Sequence, residues 1–412
     1  MSEYSGPPIL EALRPQLESK RAELGEWFAA KRASLSMPLF ASVDIRDASW
    51  KVAAIDANAF PAGFNNISPD QRTFLAENML NWIASEHPDI NWLHIWPEPH
   101  TRNRGYVQNL IVLSDMLSSH GLRVTVGSPE LAGIDEVEGV DGRLFLSPTR
   151  AEGTLLVAER APDLLILNHD LSDGPLQGVG DLPVAPSQAM GWYQRRKSSH
   201  FRHAQPFIDK VADIIGIDPW LLGTHWFVSR DKCLEKEVCK SRLAAQVDSC
   251  LEHLRLKYEE HGIEGDPLLF IKNDSGTYGL GIIEISSGDE LLHLSKRKVN
   301  RLTHGKGGQD PEDFLIQEGV PTSLTLGDAV IEPCFYGAAG YACSSFYRAN
   351  DKKGVNANLN TPSTEFISSV ELHRRGGRDI LDAAGAWHSL VAEIAILAMG
   401  AELVELQVHA RR

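Results

Sequence analysis

The chain has few cysteines, no long apolar run and no excess of positive charge, and each shortage narrows what it can be. Five cysteines, Cys233, Cys239, Cys250, Cys334 and Cys343, occur in 412 residues. Their odd number, the lack of any C-x-x-C and the size of the chain argue against a disulfide framework, and no metal-type spacing supports a structural zinc site. All five are expected to be reduced and mostly buried. No stretch approaches the roughly 20 apolar residues of a membrane span. The most apolar late segment, Leu390–Val404, is interrupted by Glu393 and Glu402. The N-terminus lacks a signal-peptide core, because Leu10, Leu13, Leu17, Leu24 and Phe28 are spaced as on an amphipathic helix. A cytoplasmic protein without membrane contact is expected. The net charge of −15 disfavours binding to a nucleic-acid backbone. Small-molecule partners are expected, with a homo-oligomer left open. There is no repeat of solenoid period, and no G-x-S-x-G, H-E-x-x-H or Walker-type G-x-x-x-x-G-K-[ST].

What is present suits a soluble globular protein, with 43% hydrophobic and 23% charged residues and length enough for two or three domains. Strand-like Phe40–Ile45 and Lys51–Asp56 surround a turn and lead into a loop with Asn58, Pro61, Gly63, Asn65 and Asn66. Loops after strand ends are where α/β proteins place ligand contacts. A helical stretch at 70–86, a strand Trp92–Trp96, a helix Gly105–His120 and a strand Leu122–Val126 then alternate as βαβ units around a mostly parallel sheet. The first of these strands empties into a segment with Arg102 and Arg104, a pair able to grip a carboxylate. Residues 191–203 gather Arg195, Arg196, Lys197 and Arg202 with Trp192, Tyr193 and Phe201. A solvated basic face is the ordinary reading of such a run. The interleaved aromatics favour an anionic small substrate.

Leu268–Gly281 reads LLFIKNDSGTYGLG. An apolar strand closes on Lys272, and a loop with Ser275, Gly276, Gly279 and Gly281 follows. Glycines let backbone N–H groups approach an anion, and the lysine supplies a point charge suited to a polyphosphate. Downstream come the strand FLIQEGV with Gln317, Glu318 and Val320, the strand AVIEPCFY with Glu332, and a third strand, Tyr341–Arg348, ending on Arg348. N-A-N-L-N follows at 356–360, then a helix at about 379–399. A last strand, Leu403–Val408, is expected to put Glu405 and Gln407 on one face, where two oxygen donors suit a hard cation.

This order of strand–Lys–glycine loop, strand–QEG, strand–Arg, N-x-N and E-x-Q resembles the ATP-grasp superfamily over roughly residues 225–410. Together with DIRDASWKVAAIDANAFPAGFNN, IWPEPHTRNRGY, NHDLSDG, RRKSSHF and NLNTPSTEF, it resembles one bacterial type of glutamate–cysteine ligase over nearly the whole chain. The resemblance implies an α/β, ATP-grasp-like fold. An N-terminal pre-ATP-grasp-like domain (1–224) would be followed by a nucleotide-binding domain (225–412) whose two α+β subdomains clamp ATP. It implies ATP and Mg²⁺ as cofactors, and ligation of glutamate to cysteine through an acyl phosphate. By the same resemblance Lys272 contacts the phosphates, residues 275–281 cover them, and Gln317, Glu318 and Val320 line the adenine. Arg348 neutralises the acyl phosphate, and Glu405 and Gln407 with Asn358 or Asn360 hold the metal. Arg102, Arg104, Arg195, Arg196 and Asn65 are the substrate-binding candidates. Gln407 stands where asparagine is usual, so Glu332 stays in the metal set as an alternative. A ligase for another carboxylate–amine pair and a non-catalytic nucleotide-binding protein of the same fold are the competing readings. The joint presence of Lys272, Arg348 and Glu405 favours catalysis.

Overall fold

The computed structural model describes residues 4–230, 234, 236–275, 282–303 and 313–410. Helices α1 (Ile9–Ser19) and α2 (Arg21–Ser34) lead into an antiparallel pair, β1 (Phe40–Asp47) and β2 (Val52–Asn58). An alternating stretch follows: α3 (Pro69–Glu86), β3 (Trp92–Pro97), α4 (Arg104–Ser118) and β4 (Arg123–Val126). Two small ribbons, β5 (Glu136–Glu138) with β6 (Arg143–Phe145) and β7 (Thr149–Ala151) with β8 (Leu155–Val157), precede β9 (Leu164–Asn168) and β10 (Val184–Ala185). Next come α5 (Lys197–Ile215), β11 (Trp226–Ser229), α6 (Glu237–Glu260), β12 (Leu269–Asn273) and β13 (Ile283–Ile285). Then follow α7 (Gly288–Leu292), α8 (Lys296–Thr303), β14 (Phe314–Glu318) and β15 (Thr325–Leu326). Last are β16 (Ala329–Ala338), β17 (Tyr341–Asn350), β18 (Glu365–Ser368), α9 (Ser369–Arg374) and α10 (Arg378–Ala410).

Three larger sheets organise the described residues. The first has the order β18-β17-β16-β1-β2, all antiparallel, with β15 on the side of β16. It draws β1 and β2 from one end of the chain and four strands from the other, and so is built across the division expected at residue 224. The second, β10-β9-β3-β4, is parallel, as the βαβ alternation predicts. The third, β11-β14-β12-β13, is antiparallel and carries the strand that ends in Lys272 and Asn273. Side-chain alternation assigns the faces of the first sheet. Val43 and Ile45 of β1 pack into the core that contains α10, while Ser42, Asp44 and Arg46 face the other way into a cavity. Asn103 starts α4 with its side chain accepting from Tyr106 N, an ordinary N-cap.

Two expectations fail here. Leu403–Val408 is helical, the last part of α10. Ile396, Met399, Leu403 and Leu406 all join the same core, and this 3-4-3 spacing continues the apolar stripe of the preceding turns without a breaker stronger than Gly400. The period-two reading of E-x-Q could not distinguish a strand from a helix over so short a span. Cys239 is disulfide-bonded, which corrects the reading of five reduced thiols, since counting and spacing do not see which sulfurs the fold brings together. Cys250, Cys334 and Cys343 are free. Among the described residues no helix is long and apolar enough to cross a membrane.

Candidate active site

The polar face of the six-stranded sheet floors a cavity of about 490 Å³. Register brings its groups together: Asp44 lies opposite Asp56 on one side and Cys334 on the other, and Glu332 lies opposite Arg348. Arg348 Nη1 is 2.8 Å from Asp44 Oδ2 and 2.8 Å from Glu332 Oε1. Arg46 Nε is 2.7 Å from Glu332 Oε2, and its Nη atoms donate to the carbonyls of Val355 and Ala357. Two carboxylates and two guanidiniums thus balance in charge. Nε of Arg348 is buried with no hydrogen-bond partner among the described residues, an unsatisfied donor beside the cavity floor. The Cys334 thiol donates to Asp44 Oδ1 at 3.2 Å, and burial with Asp44 beside it pushes that thiol far up, out of reach of a thiolate role.

The third sheet and α5 close the cavity from above. Lys272 Nζ donates to Gln317 Oε1 at 2.7 Å and to the Ile55 carbonyl at 3.3 Å. Burial brings this ammonium down to about 8, against the pull of nearby Asp56. Lys197 Nζ sits 2.6 Å from Asp56 Oδ1. Burial alone would raise the Asp56 carboxyl, but Lys197 and then Lys272 and Arg195 outweigh it and hold it below the usual carboxylate range.

A third wall comes from the carboxyl ends of the parallel strands, where α/β sheets place ligands. Glu98 follows β3, and Asn168 and Asp170 end or follow β9; all three line the cavity. Asn109 of α4 accepts from the backbone N–H groups of Gly63 and Phe64 and donates to Asn168 Oδ1, and Asn168 donates to the Pro61 carbonyl. These bonds pin the Asn-rich loop after β2. Gly63 has φ +147°, and a Cβ there would meet the Tyr336 hydroxyl at 2.8 Å, so the loop's close approach to the sheet needs glycine.

Of the residues singled out in the sequence, Lys272, Glu318, Val320, Arg348, Asn65 and Asn360 line this cavity. Gln317 is buried behind Lys272 and donates to Thr224 Oγ1. Ser275 turns back on Asn273 Oδ1, and Gly276, Gly279 and Gly281 lie outside the described residues. Glu332 and Asn358, named for the metal, line it too, but the structure does not bring Arg102, Arg104, Arg195, Arg196, Glu405 or Gln407 to the cavity. Arg195 is buried, donates twice to Glu402 at 3.0 Å and binds the Ala57 carbonyl at 2.6 Å. Arg196 is exposed at the α5 cap, Arg102 is exposed before α4, and Arg104 donates to the Gly139 carbonyl. Glu405, on α10, pairs with Arg202 and His203 of α5. Gln407, two residues on, points about 200° away round the helix. Among the oxygens lining the cavity are Asp44, Glu332, Asn358 and Asn360 on the floor side, of the type that suits Mg²⁺, and Glu98 and Asp170 on the third wall, whose carboxylates converge with His169 within 4.8 Å. Asp44, Arg46 and Asp56 received no role from the sequence, whereas Lys197, part of the basic run read as facing an anionic substrate, does line the cavity. For Asp44 and Arg46 the signal that could have found them is the alternation S-x-D-x-R in an otherwise apolar strand, since a core strand keeps polar residues on one face only where that face meets solvent or ligand.

A cavity that gathers lysines, arginines and carboxylates between three sheets, with no thiolate available at Cys334, defines a site for handling anionic small molecules. Comparison with known proteins makes this specific. The Glutamate-cysteine ligase family matches residues 15–403. The crystal structure of a provisionally named gamma-glutamylcysteine synthetase from Methylobacillus flagellatus is 31% identical, with 96% of each chain covered and a TM-score of 0.86. D-alanyl-alanine synthetase A from Vibrio cholerae is 7% identical over 71% of this chain and 81% of its own, with a TM-score of 0.30, too low to bear on the fold. No curated protein sequence matches significantly. The chain belongs to the glutamate-cysteine ligase family, and is a ligase.

Proposed function

We propose that the cavity binds ATP, glutamate and cysteine, and that the chain joins the γ-carboxyl of L-glutamate to the amine of L-cysteine to give γ-glutamylcysteine, the first step of glutathione biosynthesis. The γ-carboxylate attacks the terminal phosphorus of ATP, an acyl phosphate and ADP form, and the cysteine amine then displaces phosphate. Phosphoryl transfer asks a protein chiefly for positioning and charge neutralisation. The observation that carries this reading is Arg348. It is held between Asp44 and Glu332 on the cavity floor, with Nε buried and unbonded among the described residues. A guanidinium fixed in this way can meet negative charge as it moves onto the equatorial phosphoryl oxygens, without reorganising at that moment.

Lys272, on the opposite wall, contacts the ATP phosphates in this scheme, and Glu318 and Val320 lie toward the adenine. Asp44 and Glu332, with Asn358 or Asn360, would hold Mg²⁺, which when bound neutralises phosphate charge. The residue side of the reaction needs no nucleophilic side chain, consistent with the suppressed Cys334 thiol. The test is ADP release by the purified chain against a panel of amino-acid pairs. Turnover should require glutamate and cysteine together. Equal or faster turnover with a different acid or amine would replace this substrate assignment.

A further inference from the structure

Lys197 is the first residue of α5, and its ammonium reaches the cavity beside Asp56, over the Trp192 ring at 4.7 Å. Lys272 arrives from the third sheet and bonds the carbonyl of Ile55, the residue before Asp56. Two ammoniums from different parts of the fold therefore act on one carboxylate, Lys197 in direct contact and Lys272 through space from its bond to the neighbouring carbonyl. The other partners of Lys272, an amide oxygen and a carbonyl, are neutral. On the floor Arg46 and Arg348 are already balanced by Asp44 and Glu332. The group of Lys197, Lys272 and Asp56 thus keeps one surplus positive charge facing the cavity.

The spacing of the two lysines is fixed by a third residue. Asp274, two positions after Lys272, accepts Lys197 N on its carbonyl at 2.8 Å, Ser198 N on Oδ1 at 2.7 Å and Ser198 Oγ on Oδ2 at 2.6 Å. Its carboxylate occupies the amino end of α5, so the helix end itself is not open to a ligand. The same three bonds tie the end of β12 to the first turn of α5. Asp274 and Ser198 themselves stand outside the cavity lining, while Lys197, Lys272 and Arg348 all reach the cavity from its walls.

We propose that Lys197 is a second phosphoryl-facing cation of the site, placed opposite Lys272 across Asp56, and that Asp274 is the positioning residue that sets the two lysines in register. This rests on the ligase reading above. The test is calorimetric binding of MgATP and MgADP to the full chain and to Lys197→Met and Asp274→Ala. Lys197→Met should weaken ATP by about 10- to 100-fold, the worth of one hydrogen bond to a charged group. ADP affinity should stay within about twofold on the same ground, since ADP lacks the phosphoryl that Lys197 meets. Asp274→Ala should show the same ATP-selective loss, and adding Lys197→Met to it should weaken ATP little further. Equal loss for both nucleotides, no loss, or an effect confined to the glutamate KM overturns the assignment. If the methionine variant does not fold, Lys197→Arg keeps the pair with Asp56. Its ATP-to-ADP affinity ratio must then change if the cation faces the phosphoryl, and stays fixed if the lysine only pairs with Asp56. Wild-type protein that binds neither nucleotide sinks the ligase reading, and this inference with it. Wild-type protein that binds both, beside a Lys197→Met variant that matches it, sinks this inference alone.

Discussion

Lys51 and Glu318 form a fully buried ion pair, Nζ to Oε1 2.6 Å, between the β1–β2 turn of the floor sheet and the last residue of β14 in the third sheet. The ammonium lies 3.8 Å from the Trp220 ring centre, and the second Glu318 oxygen accepts from His225 N at 2.8 Å. Glu318 also lines the cavity. The pair therefore clasps the two sheets at the cavity itself.

Removing one partner of such a pair strands a buried charge. Lys51→Met should lower stability by about 3–5 kcal/mol, read as a shift in the urea midpoint. The double variant Lys51→Met/Glu318→Gln should recover a large part of that loss. If the double variant is as unstable as the single, the pair is not what holds this junction.

Lys272 gives a pH dependence with two opposite signs. Burial, opposed by Asp56, brings it from 10.5 down to about 8. Between those values the unfolded chain holds the extra proton, so this group makes stability rise with pH from about 8 to about 10.5 and leaves it flat below 8. Lys51, also lowered to about 8 by burial against the pull of Glu318, adds the same sign. ATP capture needs the charged form, so kcat/KM for ATP should fall as pH rises above 8 while the melting temperature does not. In Lys272→Ala, kcat/KM for ATP should fall sharply and the residual activity should lack that inflection. An unchanged profile in the variant places the nucleotide elsewhere.

Arg195 was expected to read substrate carboxylate, yet it is sealed against Glu402, whose carboxyl burial would raise but Arg195 and His200 bring down to about 2. Arg195→Ala should therefore cost about 3–5 kcal/mol of stability through the stranded Glu402. Any active protein that remains should bind glutamate with an ordinary KM. A raised glutamate KM at unchanged stability contradicts this.

Glu405 is paired on the surface with Arg202 and His203. Glu405→Ala should change stability by no more than about 1 kcal/mol and leave the Mg²⁺ concentration for half-maximal activity where it was. By contrast, Glu332→Gln should raise that concentration. A shift with Glu405→Ala alone would return the metal to α10.

Arg348→Lys keeps a charge near Asp44 and Glu332 but loses the planar fork that can reach both carboxylates and a phosphoryl oxygen. The expected loss is about 10²–10³-fold in kcat, by analogy with removing one donor from an oxyanion site. KM values should change little. A normal kcat with a lowered melting temperature would make the residue structural.

The sequence by itself determined the local elements and the chemistry of single positions. Apolar runs bounded by turn residues marked β3, β12, β14, β16 and β17, because burial of a strand demands such runs whatever it pairs with. Helical periodicity marked α3 and α4 for the same reason. Lys272 and Arg348 stood out as cations closing apolar strands, and both line the cavity. Only the tertiary structure decided which charges meet. Asp44 and Arg348 are 304 positions apart, and nothing local to either says that β1 inserts beside β16; that follows from strand pairing across the whole chain. The fates of Arg195 and Glu405 were hidden for the same reason. A charge in a sequence looks alike whether it faces a substrate or a partner; here Arg195 meets Glu402 of α10 and Glu405 of α10 meets Arg202 and His203 of α5, and the last turns of α10 continue a core stripe that a six-residue window reads as a strand.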